Sequence, residues 1–179
     1  GDNFVTHEEV TDWPTYANDN KLVSCVKSPF AVINDQLNAK IGIFIGDITT
    51  LEIDAIINAA KTSLIGGAGI DGVIHMVAGS HLLTECETLG GCLTGQAMST
   101  GGYRLHAKYV IHTVVSKTSE RSKLKRCYVN SLEKSVQFEG QMIALPCNGI
   151  LIYSYPKAEA AQVVLLTVRA LLEINENHM

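Results

Sequence analysis

The chain has 179 residues, of which 46% are hydrophobic and 18% charged, a balance typical of one globular domain with a buried core. The formal net charge of −4 at pH 7 argues against a nucleic-acid partner, which is normally bound by a basic surface. Five cysteines without paired spacing predict reduced thiols in a cytoplasmic or nuclear protein. No apolar run reaches the roughly 18 residues of a membrane span, so no membrane partner is expected. We also expect a monomer.

The predicted elements begin after an N-terminal arm, which we define as residues 1–38. This segment is polar and acidic, and it is interrupted by Trp13-Pro14 and by Ser28-Pro29-Phe30. We predict that the arm lies on the surface of a single domain formed by residues 39–179. A small separate module is the alternative.

The pattern of apolar residues predicts the elements of that domain. Strands are expected at 40–45, 55–58, 96–100, 109–115 and 142–146, and helices at 70–77, 81–89, 121–136 and 156–173. Because strands and helices alternate, we predict an α/β architecture with helices on both faces of a mostly parallel sheet. In such sheets, ligands bind beyond the carboxyl ends of the strands, where loops lead into helices.

The first informative loop is Gly46-Asp47, which follows the first predicted strand of the domain. A carboxylate there could accept a hydrogen bond from an exocyclic amine such as that of adenine. Alternatively, Asp47 is the N-cap of a helix that begins at Ile48, and the spacing alone favours this second interpretation.

The second loop runs from Asn58 to Gly72. Its glycines allow close approach of a ligand to the backbone, and the predicted start of a helix at Ile70 favours a phosphate there. Residues 67–72 also match G-x-G-x-x-G. A dinucleotide-binding fold would place an acidic residue about 20 positions later, whereas this chain has Cys92 there, so a dehydrogenase is disfavoured.

The third loop, residues 146–156, links a predicted strand to the last helix and could also face a phosphate. Together with blocks such as Asp54-Ala55-Ile56-Ile57-Asn58-Ala59-Ala60 and Lys108-Tyr109-Val110-Ile111-His112-Thr113-Val114, the three loops resemble the macrodomain family, in particular its MacroD-type branch. The resemblance implies a three-layer α/β/α fold with a mixed, mostly parallel central sheet. It also implies binding of ADP-ribose, free or on mono-ADP-ribosylated proteins, and hydrolysis of the ester between ADP-ribose and acidic side chains.

The resemblance assigns roles to individual residues. Asp47 and Ile48 would bind adenine, Asn58 would bind the distal ribose, and Asp71 would position or activate the attacking water, so that Asn58 and Asp71 are the candidate catalytic residues. The two phosphate-facing loops would contribute Gly67, Ala68, Gly69 and Ile70 from the first, and Gly149, Ile150, Leu151, Ile152 and Tyr153 from the second.

Three departures from the family pattern leave the activity open. Lys61 stands where the family has asparagine, and Leu151 falls where the family has a glycine. The strand that follows the last helix in the family is missing after residue 173. The chain is therefore expected to bind and hydrolyse, to bind only, or to be an interaction module that has lost its ligand. Sequences at 27–30 and 167–174 also resemble the macrodomain of ganglioside-induced differentiation-associated proteins, which favours the last alternative.

Two further interpretations concern Lys61 and the metal-capable residues. In some macrodomains a lysine pairs with an aspartate and forms an adduct with the distal ribose. Lys61 could do this only if it were buried, and an exposed lysine at the rim of the loop is the simpler interpretation. The metal-capable side chains His75, His81, Cys86 and Cys92 fit no standard zinc spacing, so we expect ordinary packing, no metal and no cofactor.

Overall fold

The structure, a computed structural model, describes residues 4–22, 33–115, 120–146 and 156–176. In chain order its elements are β1 (Val5–Thr6), β2 (Thr11–Asp12), α1 (Trp13–Asp19), α2 (Asp35–Ala39), β3 (Gly42–Ile43), β4 (Leu51–Glu52), β5 (Ala55–Ala59), α3 (Ile70–Ala78), α4 (Ser80–Thr88), β6 (Ala97–Gly101), β7 (Tyr109–Thr113), α5 (Arg121–Val136), β8 (Ile143–Ala144) and α6 (Lys157–Glu176). Short 3-10 turns lie at His7–Glu9 and Ile48–Thr50. None of the described helices is both long and apolar enough to cross a membrane.

The central sheet has the strand order β6-β7-β5-β8. β5 is parallel to both β7 and β8, whereas β6 is antiparallel to β7. The sheet is therefore mixed and mostly parallel, as the sequence predicted. Four helices appear close to their predicted bounds of 70–77, 81–89, 121–136 and 156–173, and three strands appear close to theirs of 55–58, 96–100 and 109–115. The strand predicted at 142–146 is shorter, since only Ile143–Ala144 is a strand.

Side-chain alternation along β5 places successive isoleucines on opposite faces of the sheet. Ile56 packs with Val110, Ile74 and Leu82 in a core beneath α3 and α4. Ile57 packs on the other face in a smaller cluster, and α5 covers that face of β6 and β7 together with α6, which packs on α5. The fold thus has the three α/β/α layers that the resemblance implied.

One predicted strand is shorter than expected and lies outside the central sheet. The pattern at 40–45 predicted a strand of the domain, but only Gly42–Ile43 is a strand, and it pairs with Thr11–Asp12 of the arm in a separate antiparallel ribbon. The side chain of Ile45 is 82% exposed. Alternation of apolar residues predicts which face of a strand is buried. A strand also needs a neighbouring strand for its hydrogen bonds, and β2 pairs with only two residues here.

The arm is attached to the rest of the fold by backbone pairing. Val5–Thr6 run parallel to Leu51–Glu52, and the ring of Phe4 lies 5.2 Å from that of His106. Asp12 caps α1 by accepting a hydrogen bond from the backbone N–H of Thr15. The boundary predicted at residue 38 falls inside α2, and it remains a prediction.

Candidate ligand-binding site

A glycine loop, which we define as residues 66–69, leads from β5 into α3. Gly69 has a φ of +68° and is the N-cap of α3, and as a glycine it provides no side-chain cap for the first N–H groups of this helix. A Cβ on Gly72, in the first turn, would lie 2.3 Å from the carbonyl oxygen of Gly67, so loop and helix are in close backbone contact. Gly67, Ala68 and Gly69 are exposed. The uncapped, positive end of a helix is therefore open to an anion here.

Asn58 and Asp71 lie together behind the glycine loop. Asn58 is in β5 and is fully buried, and Asp71 in the first turn of α3 is 3% exposed. The Asn58 side chain donates a hydrogen bond of 2.7 Å from Nδ2 to Asp71 Oδ1. Neither Asn58 Oδ1 nor Asp71 Oδ2 has a hydrogen-bond partner among the described residues. A buried oxygen of this kind costs about 1–3 kcal/mol, which points to a polar ligand as its missing partner.

His112 is a third member of this group that the analysis of the sequence did not single out. It lies opposite Asn58 in the register of the parallel pair β5–β7, and its Nδ1 is 3.1 Å from Asn58 Nδ2. Its other ring nitrogen, Nε2, is 3.0 Å from Thr100 Oγ1. Burial lowers the pKa of His112 to about 3, so the ring is neutral at physiological pH. The sequence signal that could have found His112 is a polar residue within a run of apolar strand residues.

His75 lies one helical turn after Asp71. Its Nε2 is 3.6 Å from Asp71 Oδ1, beyond the usual length of a hydrogen bond, and it has no other hydrogen-bond partner among the described residues. The His75 ring lies beneath the glycine loop, since a Cβ on Gly66 would be 3.2 Å from it. His75 is therefore the imidazole closest to the candidate catalytic carboxylate in the described part of the chain.

The metal-capable side chains are arranged differently from their sequence spacing. Donor atoms of His75, Cys86 and His112 lie within 4.8 Å of one another, whereas the His81 ring stacks on Tyr103. Burial raises the pKa of the Cys86 thiol to about 11, with a further contribution from the charges of Glu85 and Asp71. His112 already uses both ring nitrogens in polar contacts. We therefore keep the interpretation of ordinary packing, which remains a prediction.

Asp47 forms the cap that was one of its two predicted roles. Its Oδ1 accepts hydrogen bonds from the backbone N–H of Thr49 at 2.9 Å and from Thr49 Oγ1 at 2.8 Å, at the start of the 3-10 turn. The residue is exposed, and the turn that it caps contacts α3. Ile48 is half-buried against the main core. The cap fixes the direction of the carboxylate, and the adenine role stays a prediction.

Lys61 is exposed, but its side chain extends over the glycine loop. A Cβ on Gly67 would lie 2.8 Å from Lys61 Nζ and 3.1 Å from Asp71 Oδ2. The ammonium and the carboxylate thus flank the same side of Gly67. A cation therefore lies beside the expected phosphate position, at the place where the family has a neutral amide. Residues 149–153, with Leu151, lie outside the described residues, so the predicted obstruction of the second loop is untested.

This arrangement defines an α/β domain with a candidate ligand site at the carboxyl ends of its parallel strands, between a helix N-terminus and a buried amide–carboxylate pair. The sequence profile of the Macro domain family matches residues 57–164. The chain belongs to the macrodomain family.

Similar proteins agree with this assignment. A Rattus norvegicus protein named "ADP-ribose glycohydrolase MACROD1" is 44% identical over 95% of this chain and 67% of its own length. The Trypanosoma brucei macrodomain in complex with ADP-ribose superposes with a TM-score of 0.80 at 34% identity, over 96% of this chain and 66% of that one. The macro domain of ganglioside induced differentiation associated protein 2 gives 0.84 at 29% identity, over 97% and 84%. The chain spans 67% of the rat relative and 54% of the Mus musculus protein of the same name.

Proposed function

We propose that this macrodomain binds ADP-ribose, either free or attached to mono-ADP-ribosylated proteins. The observation that carries the proposal is the pair of unpartnered oxygens on Asn58 and Asp71 beside the open N-terminus of α3. A ligand that carries hydrogen-bond donors next to a phosphate would satisfy both features. The diphosphate and distal ribose of ADP-ribose meet that requirement, and ADP-ribose is the ligand in the trypanosomal structure.

Each part of the ligand then has a place. The diphosphate would contact the N–H groups of residues 67–70, with the α3 dipole favouring its charge. Hydroxyls of the distal ribose would donate to Asn58 Oδ1 and Asp71 Oδ2. The adenine amine would donate to the carboxylate of Asp47, which is oriented by Thr49. Lys61 Nζ would face the phosphate nearer to the distal ribose.

Calorimetric titration with ADP-ribose tests the binding proposal. Asn58→Ala is expected to weaken binding by about tenfold or more, because it removes an acceptor that no other group replaces. Asn20→Ala is the matched control, since Asn20 is exposed and its side chain binds only the carbonyl of Tyr16, at the end of α1. Absence of heat from the wild type at high micromolar concentrations would sink the proposal and favour the non-binding interaction module.

A second candidate function is hydrolysis of ADP-ribosyl esters of glutamate or aspartate. It is favoured by the Asp71 carboxylate, which has the His75 ring beside it. The Asp71 carboxylate has one oxygen held by Asn58 and the other unpartnered, so Oδ2 could accept a proton from a water molecule. That water would attack the anomeric carbon of the distal ribose. The bond from this carbon to the ester oxygen would break, and the glutamate or aspartate side chain would leave as a carboxylate.

Release of ADP-ribose from a glutamate-modified peptide tests this second function. Asp71→Asn keeps the shape of the side chain and removes the base, so the turnover rate should fall about 10²- to 10⁴-fold. Asp19→Asn, an exposed change at the end of α1, should leave the rate unchanged. Equal, background release by the wild type and by Asp71→Asn would show a macrodomain that binds without hydrolysing.

A further inference from the structure

A buried chain of hydrogen bonds runs from the candidate catalytic carboxylate into the sheet. It joins Asp71 Oδ1 to Asn58 Nδ2 at 2.7 Å, Asn58 Nδ2 to His112 Nδ1 at 3.1 Å, and His112 Nε2 to Thr100 Oγ1 at 3.0 Å. All four residues are at most 3% exposed. This series of hydrogen bonds ends at His112 and Thr100, which would not contact the ligand. The role of these two residues therefore needs an explanation.

The Asp71 end of the chain fixes which atom of the Asn58 amide faces it. An ionised carboxylate has only acceptors, and two acceptors cannot share a hydrogen bond. The amide must therefore turn its nitrogen to Asp71. The same nitrogen also lies within hydrogen-bonding distance of His112, so both of its hydrogens are used by the protein.

The Asn58 amide in turn fixes the tautomer of His112. Because Asn58 Nδ2 donates, His112 Nδ1 must offer a lone pair, and the single proton of the neutral ring must be on Nε2. Nε2 then donates to Thr100 Oγ1, whose distance of 3.0 Å suits a hydrogen bond, whereas Cys86 Sγ is 3.8 Å away. Burial keeps the ring neutral, with its pKa lowered to about 3.

The two contacts of Asn58 Nδ2 decide where the amide oxygen, Oδ1, is directed. With Nδ2 held by Asp71 and His112, Asn58 Oδ1 has no hydrogen-bond partner in the described part of the chain and is available to a hydroxyl of the ligand. A proton on His112 Nδ1 would place two donors against each other and turn the amide. We propose that His112 is a positioning residue that holds the Asn58 amide with its oxygen towards the distal ribose, an inference that rests on the proposed ADP-ribose function.

Two near-isosteric substitutions separate positioning from packing. In His112→Asn, the side-chain oxygen takes the place of Nδ1 and still accepts from Asn58. In His112→Gln, the amide nitrogen takes the place of Nε2 and still donates to Thr100, but the acceptor for Asn58 is lost. His112→Gln should weaken ADP-ribose binding about tenfold, the effect of one lost hydrogen bond, and His112→Asn should restore most of it. A residue that only packs would give at least as large a loss in His112→Asn, because asparagine leaves a larger cavity than glutamine does.

A second measurement, made in the Asn58→Ala variant, shows whether the effect of His112 on binding depends on Asn58. In a chain that carries Asn58→Ala, His112→Gln should cause no further loss of affinity, because the group that it positions is absent. Full additivity of the two losses would overturn the proposal. Melting temperatures of the wild type and of each variant show whether all of them are folded.

The tautomer provides a test that does not depend on the ligand. Nitrogen-15 NMR of the imidazole rings should show His112 with Nε2 protonated and Nδ1 unprotonated. A protonated Nδ1 would overturn the proposal even if the wild type binds ADP-ribose. Conversely, a wild type with the expected tautomer that gives no heat with ADP-ribose would contradict the proposed function, and the positioning role would fall with it.

Discussion

Lys61 places a positive charge beside the backbone of Gly67 and the carboxylate of Asp71. The family's asparagine at this position would offer a hydrogen bond without a charge. An ammonium above the glycine loop would add Coulombic attraction for a phosphate bound there, and this attraction is screened by salt because Lys61 is exposed.

The Lys61 charge leads to a prediction about salt dependence. Lys61→Asn should weaken ADP-ribose binding about threefold to tenfold at low ionic strength, and the difference should shrink towards zero near 1 M salt. Lys125→Asn, an exposed change on α5, is the matched control and should not alter the affinity at any salt concentration. Equal losses for Lys61→Asn at low and high salt would contradict a charge contact with phosphate.

The candidate site could be predicted in part at this scale. Asn58 and Asp71 were expected from the loop that joins β5 to α3, and the structure places them in direct contact. His112 was missed as a partner because it is 54 positions from Asn58, and only the strand register brings the two together. The direction of the Lys61 side chain could not be predicted either, since it depends on the conformation of the glycine loop.

At the scale of elements, Asp54 clamps the short edge strand β8 to the sheet. Its Oδ1 accepts from Lys108 Nζ at 2.7 Å, and its Oδ2 accepts from the backbone N–H groups of Gln141 and Met142 at 2.9 and 3.1 Å. The hydrogen bond from Lys108 is the main reason that the pKa of Asp54 lies below its usual value, with the two backbone donors contributing. The carboxylate thus ties three segments together.

The clamp predicts a stability change that depends on pH. Asp54→Ala should lower the free energy of unfolding at pH 7 by about 1–3 kcal/mol, because two backbone donors lose their acceptor. Lys108→Met should cost less, since the Lys108 side chain is 70% exposed and its ion pair with Asp54 is screened by solvent.

The sign of the pH effect follows from the lowered pKa. The folded state holds Asp54 charged more strongly than the unfolded chain does, so the contribution is complete above the unfolded pKa and is lost as pH falls through the folded pKa. Urea unfolding should therefore show the difference between wild type and Asp54→Ala shrinking in acid. A difference that stays constant from neutral to strongly acidic pH would contradict the clamp.

Elements with their own periodic pattern were predictable, and elements that depend on a distant partner were not. The helix at 121–136 has the predicted bounds, because its apolar face repeats every three to four residues over 16 positions. The strand expected at 40–45 shortened to two residues, because its partner comes from the arm rather than from the central sheet. Partner choice between strands is a property of the whole chain.

At the scale of the whole molecule, the mixed sheet brings the parts of the site together. The parallel strands β5 and β7 place Asn58 and His112 side by side, and α3 returns across their carboxyl ends with Asp71 and the glycine loop. The site combines residues of β5, β7 and α3, so its geometry depends on the packing of α3 against the sheet. The fold could be predicted from many sequence blocks in order, whereas the strength of ligand binding could not.

The central claim is that the buried Asn58–Asp71 pair recognises the distal ribose. Side-by-side calorimetric titrations of the wild type with ADP-ribose and with ADP test this claim most directly, because the two ligands share adenosine and diphosphate and differ in that ribose. We predict that ADP-ribose binds at least about tenfold more tightly than ADP, the difference expected from one or two hydrogen bonds to otherwise unpartnered oxygens. Equal affinities for ADP-ribose and ADP would contradict the account.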